Sequence, residues 1–531
     1  MTDESQRDED VSKDVVDPPS DDVRSDGGAT GTEGADEVVL DPWGSSTVSD
    51  YRSLFAEFGI ESFEEVLDSV PDPHYLMRRG VIFGHRDYRR VLEAMTADEP
   101  FAALSGFMPT GDPHIGHKLV FDEIIWHQEH GGDAYGLIAD LEAHSARGLS
   151  WAEIDEHARD YVLSLLALGF DPEEGELYRQ SENREVQDLA FELGIEANFS
   201  ELQAIYGFSG ETDVSHMQSV VTQMADICYP QLDEPKPTVI PVGPDQDPHV
   251  RLARDLAARM RYFGVTEAYA SFEADEDERS LIAEAYETLD READGSDAPV
   301  RCVDTAEWLE TNAVPGPVRD SAVNKLSSAG KEPLRPRTRF LDRRATEEAF
   351  EELIGRIDGE KRVYEGHVDA FDLGIEEAER LARAVEIETG GYGFLPPSSI
   401  YHRFMTGLTG GKMSSSIPES HISLLDDPDD GYAKVKSATT GGRETAELQR
   451  ELGGEADKCP VYELYAYLLA GDDDEFAKLV YDECVGGERL CGDCKEQAAQ
   501  LMRKFLTEHQ EKREEAEELL SELDIGFETE R

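Results

Sequence analysis

The chain has 531 residues, with 116 Asp and Glu against 50 Lys and Arg, and a formal net charge of -66. That length exceeds what one hydrophobic core serves, so two or three domains are expected. Such a charge would drive a compact fold apart in dilute buffer. Molar salt shortens the Debye length to about 3 Å and removes the objection, which points to a salt-rich cytoplasm. A hydrophobic fraction of 39% excludes disorder over the whole chain. No apolar run reaches the length of a membrane span, and the N-terminus has neither a basic nor an apolar signal region, so the chain reads as cytoplasmic. Six cysteines in so long a chain exclude a disulfide scaffold. No basic patch advertises nucleic-acid binding, but in high salt that excludes little, because phosphate contacts gain little from counterion release.

In chain order, residues 1–38 are Asp, Glu, Ser and Gly with almost no large apolar groups, and a disordered tail is expected. Residues 39–99 carry "DPW", "DYRSLFAEFGI" and "RGVIFGHRDYRRVLEAM", a folded N-terminal extension with amphipathic helices and a short strand. From 100 to 267, "FAALSGFMP", "AYGLIAD" and "PTVIPVG" are each followed by a helix-period pattern, which predicts βαβ units and a parallel sheet. Residues 268–389 break that rhythm with acidic, low-apolar stretches and read as an insertion, dispensable if it lies on the surface. The sheet pattern resumes over 390–428. Residues 429–531 are nearly all helix-compatible, with Ala498, Leu501 and Phe505 marking an apolar stripe.

Two segments carry chemistry. "PTGDPHIGHK", Pro109 to Lys118, follows a strand and opens a helix near His114. A helix N-terminus presents unpaired N–H groups and partial positive charge to a phosphate, and Gly116 lets a base or ribose approach the backbone. His114 and His117, three apart, share a helical face and can donate to phosphate oxygens. "GGKMSSS", Gly410 to Ser416, is a Gly/Ser loop in which Lys412 supplies a point charge on a flexible stem. That charge suits a pyrophosphate whose own charge grows as the phosphorus bond breaks. Ser414, Ser415 and Ser416 add hydroxyl donors. Either segment alone is ordinary, two surface histidines or a linker; their conjunction in this order is not.

The pair is the ATP signature of class I aminoacyl-tRNA synthetases. With "IADLEAH", "IYGFSGE", "PVGPDQDPHVRLARD", "YHRFMTGLTGGKMSSS" and "KVKSATTGGRETAELQRELGG", the chain resembles the archaeal and eukaryotic-type tryptophanyl-tRNA synthetases over most of its length. Position 415, where many class I enzymes carry a second lysine, is Ser, as this branch tolerates. The resemblance implies an α/β fold, a Rossmann-like parallel-sheet catalytic domain followed by an α-helical anticodon-binding domain. It also implies ATP-dependent activation of L-tryptophan and its transfer to tRNA(Trp), with Mg2+, in a homodimer.

By resemblance, His114, His117 and Lys412 are catalytic, and Gly116, Lys412, Met413, Ser414, Ser415 and Ser416 hold ATP. Glu142, Gln223 and Gln246 are candidates for the tryptophan pocket. A carboxylate there accepts the indole N–H or pairs with the α-ammonium, and glutamine amides donate and accept at close quarters. Asp247 and His249 are expected to cap the next helix rather than touch substrate. A tyrosyl-tRNA synthetase shares the fold and is the nearest rival, with a non-catalytic paralogue as a different class of answer; "GGRETAELQRELGG" and "DPW" favour tryptophan. Cys459, Cys484, Cys491 and Cys494 lie together in the helical part, the last two as "CGDC". Four thiolates suffice for a zinc ion or a 4Fe-4S cluster, and some bacterial relatives carry such a cluster on four similarly spaced cysteines. The competing reading is four small apolar residues of a core.

Overall fold

A computed structural model describes residues 55, 58–269, 272–292, 299–411, 413, 417–523 and 525–527. The tail expected over 1–38 and the "DPW" segment lie outside the described residues. So do Lys412, Ser414, Ser415 and Ser416.

Twelve strands among the described residues form two sheets. The first contains β1 (Glu61–Ser62), β2 (Ile82–Arg86), β3 (Ala102–Phe107), β4 (Asp133–Ile138), β5 (Gly175–Arg179), β6 (Thr238–Val242) and β12 (Ser398–His402). Its order is β1-β2-β12-β6-β3-β4-β5, and the five strands from β12 to β5 run parallel. β3 is buried at every position but Gly106, the pattern of a strand covered on both faces. β1 and β2, expected in an extension, instead add an antiparallel edge to this sheet through β12.

Helices cover both faces. One layer holds the helices Ile115–Glu129 and Trp151–Leu168 and shares its core with the C-terminal helix Cys491–Glu522. The other holds Arg184–Glu196, Val214–Cys228 and Asp247–Arg259. In the C-terminal helix the buried line is Ala498, Met502, Leu506 and His509, while Leu501 and Phe505 stand half-buried beside it.

The second sheet is antiparallel, in the order β10-β11-β9-β7-β8, from β7 (Phe263–Tyr269), β8 (Phe272–Glu273), β9 (Pro336–Asp342), β10 (Lys361–Val363) and β11 (His367–Ala370). It carries two cores of its own, one around Ile282, Leu309 and Leu326 and one around Phe340, Leu353 and Val368. The helix Ile375–Glu388 packs on this sheet and holds the linker that enters it from the helix Asp247–Arg259. There Glu386, fully buried, accepts from Arg261 Nε at 2.6 Å and from the Phe263 N–H at 3.0 Å.

Candidate active site

β3 ends at Phe107, and the chain loops into the helix Ile115–Glu129 with His114 as its N-cap. The two histidines of the first signature form a reciprocal cap. His114 Nδ1 accepts from the Gly116 N–H at 3.1 Å, and His117 Nδ1 accepts from the His114 N–H at 3.1 Å. Two helix-terminal donors are satisfied in this way. With both Nδ1 atoms accepting, each ring carries its proton on Nε2. The rings stack at 3.9 Å, with the Tyr161 hydroxyl 3.2 Å from His117 Nε2. Burial holds the His117 pKa down to about 3, assisted by His421, and that of His114 well below the usual range. Both histidines are therefore neutral near pH 7 and offer N–H donors, not positive charge.

Gly116 has no room for a side chain, since a Cβ there would lie 2.9 Å from His114 Cε1. The same position is 3.6 Å from the sulfur of Met413, so the described part of the second signature reaches the first. The chain just beyond it is stitched to the first loop. Ile115 N–H donates to Ile422 O at 3.1 Å, Leu424 N–H donates to Pro113 O at 2.8 Å, and His114 bridges Ser423. Gly410 and Gly411 both take left-handed φ, +87° and +82°, which a side chain would strain.

Beside His117 a cavity of about 230 Å³ opens at the carboxyl ends of β3, β4 and β6. That is where open α/β sheets bind their ligands. Its floor is apolar, with Leu104, Phe107, Leu137 and Ile240, and its polar rim includes Glu142, Gln223 and Gln246. Each rim residue comes from a different element: the helix Asp140–Arg147 after β4, the helix Val214–Cys228, and the 3-10 turn Pro244–Gln246 after β6. The Oε1 of Gln223 is buried with no donor. Burial raises the Glu142 carboxyl to about 7, so it is partly protonated at neutral pH.

Sequence reasoning missed three residues of this rim, Gln180, Asp226 and His249. Asp226 is fully buried, takes hydrogen bonds from Tyr178 Oη at 3.0 Å and Gln180 Nε2 at 2.6 Å, and is raised to about 8 by its burial. The available signal was an acid inside the apolar run "MADIC". Gln180 follows β5 at the ligand-binding end of the sheet and leaves its own Oε1 without a donor. His249 departs from the capping expectation: it is buried against the cavity, with its Nδ1 2.9 Å from Tyr206 Oη. Asp247 stays away from the cavity, held by Arg86 at 2.8 Å and Tyr401 Oη at 2.5 Å. The cavity thus combines an apolar floor with several acceptors and acids near their titration point. It suits a flat apolar group carrying N–H donors.

The four C-terminal cysteines line one cavity of about 10 Å³, together with Gly441, Gly442 and Arg489. Burial pushes the Cys494 thiol up to about 12. Among the described residues no three His, Cys, Asp or Glu side chains are grouped to hold a single metal ion.

The profile of the class I tRNA synthetases (W and Y) matches residues 96–274 and 371–507. Residues 275–370, which hold most of the second sheet, fall between the two matched segments. Tryptophan--tRNA ligase 1 of Halobacterium salinarum is 71% identical over 505 residues, covering 94% of this chain and 98% of its own. Tryptophan--tRNA ligase of Methanosarcina acetivorans is 48% identical, covering 92% and 99%. The crystal structure of tryptophanyl-tRNA synthetase from Aeropyrum pernix superposes with a TM-score of 0.62 at 31% identity, over 92% of this chain and all of that one. The chain belongs to the class I tRNA synthetases, in the branch of the tryptophan--tRNA ligases.

Proposed function

We propose that the chain activates L-tryptophan with ATP and transfers it to tRNA(Trp) in the cytoplasm of a salt-loving cell, as a homodimer. The observation that carries this reading is the cavity beside the first ATP signature, where Glu142, Gln223 and Gln246 stand over an apolar floor. The indole lies on that floor. Glu142 takes either the indole N–H or the α-ammonium, and the unpartnered Gln223 oxygen accepts another donor.

In the first step a tryptophan carboxylate oxygen attacks the α-phosphorus of ATP. The bond to the bridging oxygen breaks, and pyrophosphate leaves with the electron pair. The Nε2–H of His114 donates to a phosphate oxygen as a neutral donor, that of His117 does so on turning from the Tyr161 hydroxyl, and the helix N-terminus behind them adds its dipole. Lys412, with the hydroxyls of Ser414, Ser415 and Ser416, stabilises the charge that collects on pyrophosphate. Magnesium bound together with ATP would supply charge neutralisation at the phosphates. In the second step the 2′-hydroxyl of the terminal adenosine attacks the acyl carbon, and AMP leaves. Residues 429–531 read the anticodon through stacking and base edges.

For Cys459, Cys484, Cys491 and Cys494 we propose a four-iron cluster in preference to zinc. Ligands of one zinc ion must converge on a point, whereas cluster cysteines each bind a separate iron around one space, and the walls of the present space of about 10 Å³ must part for a cluster to enter. Its role is to brace the anticodon-reading part. Anaerobic purification yielding about four irons per chain and a visible absorption band supports this; a colourless protein with neither iron nor zinc, yet fully active, overturns it.

Charging of tRNA(Trp) with labelled tryptophan in molar KCl tests the main reading. The expected result is tryptophan esterified to the tRNA; charging with tyrosine alone places the enzyme in the sister specificity.

A further inference from the structure

Six arginines scattered through the sequence, Arg90, Arg261, Arg279, Arg343, Arg380 and Arg383, line one open cleft of about 630 Å³. The same lining holds four carboxylates, Glu93, Glu276, Glu376 and Glu379, and Glu386 and Glu267 pair with Arg261 and Arg279, so the six arginines are balanced by six carboxylates. The chain as a whole carries more than two acids for each base, so one base for each acid makes this cleft rich in arginine for its surroundings. Among the described residues Arg90, Arg343 and Arg380 have no ion-pair partner; Arg343 reaches only the Ala258 carbonyl, at 3.0 Å. Arg261 is 6% exposed and, although its other nitrogens meet Glu379 and Glu386, its Nη2 is buried without an acceptor. Arg383 pairs with Glu379 through Nη2 at 2.9 Å but keeps Nε buried and unpartnered, and burial together with Arg261 and Arg90 lowers its pKa to about 10. Two buried guanidinium nitrogens thus keep spare donors that a further acceptor would satisfy.

The cleft is remote from the ATP signatures. Its floor includes Leu395 and Pro396, just before β12 begins, and Ala258, at the end of the helix Asp247–Arg259. That is the amino end of the parallel strands, opposite the end where the tryptophan cavity opens. Arg279 and Arg343 come from the stretch between the two segments that match the family profile, and Arg261, Arg380 and Arg383 come from within them. The cleft therefore forms only where the second sheet meets the shared fold.

We propose that this cleft binds a phosphate-bearing anion at a site separate from the reacting ATP. The guanidinium fork matches phosphate oxygens in pairs, and such bidentate contacts retain more strength in molar salt than diffuse attraction does. The phosphates belong to a free polyphosphate or nucleotide, or to a nucleic-acid backbone laid across the junction.

The test uses the full-length enzyme in molar KCl with the double variant Arg343→Ser/Arg380→Ser, both exposed positions. Arg90→Ser is a second, independent variant, and Arg362→Ser, an exposed arginine outside the cleft, is the charge control. Labelled tripolyphosphate is bound by equilibrium dialysis, tRNA by filter retention, and tryptophan-driven exchange is followed on the same preparations. The wild type is expected to hold a second tripolyphosphate, or to bind tRNA, roughly thirty-fold more tightly than the double variant, with Arg90→Ser changed in the same direction. Arg362→Ser and exchange should stay unchanged. A loss confined to tripolyphosphate identifies a free anion, and a loss confined to tRNA identifies the backbone. Unchanged binding of both probes, or an equal loss in Arg362→Ser, overturns the proposal. Absence of exchange in the wild type instead reports on the synthetase reading and leaves the cleft measurement standing.

Discussion

Replacing Glu142 by Gln separates the charge of this residue from its shape. Burial raises the carboxyl from its usual 4.5 to about 7. A group whose pKa is higher in the folded state gives stability that is fully present below its unfolded pKa and is lost as pH rises through the folded one. A displacement of this size is worth about 3 kcal/mol in all, and about 2 to 3 kcal/mol of it falls between pH 5 and pH 8. Glu142 is 8% exposed, so solvent screening removes little. Urea unfolding of the ligand-free wild type and of Glu142→Gln in molar KCl, at both pH values, measures it. Asp226 titrates in both proteins, and because the Glu142 charge helps to raise it, its own loss is smaller in the variant and adds to the difference in the same direction. The wild type is expected to lose about 2 to 3 kcal/mol more than the variant on going to pH 8. Tryptophan should bind the variant about tenfold or more weakly, because a charge-assisted hydrogen bond is lost. Equal losses of stability in the two proteins would refute the reasoning.

Three further outcomes are expected. Lys412→Ala should lower the rate of adenylate formation while tryptophan affinity measured by calorimetry stays nearly constant, because its partner charge develops in the transition state; a matching loss of affinity would contradict this. Transfer from molar to millimolar KCl should unfold the protein reversibly in circular dichroism, because 116 carboxylates against 50 cations then repel unscreened; an unchanged melt would refute the salt-adapted reading. Glu386→Ala should cost about 3 to 5 kcal/mol by leaving Arg261 buried with its main partner gone. Deleting 268–389 removes the same carboxylate, so that deletion is not silent, contrary to what a simple surface insertion would allow; a stable Glu386→Ala protein would show the pair to be dispensable.

The parallel sheet was legible because its strands are covered on both faces and read as short apolar runs, as in "FAALSGF" and "TVIPV". The segment from Pro109 to Lys118 was legible because a strand, a glycine-containing loop and a helix start follow one another in sequence. The second sheet was not, because β9 and β11 alternate charged and apolar residues inside an acidic background. Arg337 and Arg339, for example, pair with Asp369 across the ladder at 2.9 and 2.7 Å. Antiparallel pairing between strands far apart in sequence leaves no local mark. The rim of the cavity beside His117 was half legible. Glu142 and Gln246 sit in strings that identify the family, whereas Gln180 enters only because β5 ends beside β4, a fact of topology. The arginine cleft was invisible for the same reason, since the fold alone gathers residues from position 90 to position 383.

The central claim is that this site activates tryptophan, and ATP–pyrophosphate exchange with each amino acid in turn tests it most directly. In molar KCl the account predicts exchange that depends on tryptophan and is absent with tyrosine. Exchange driven by tyrosine, or no exchange with any amino acid from a folded preparation, would contradict it.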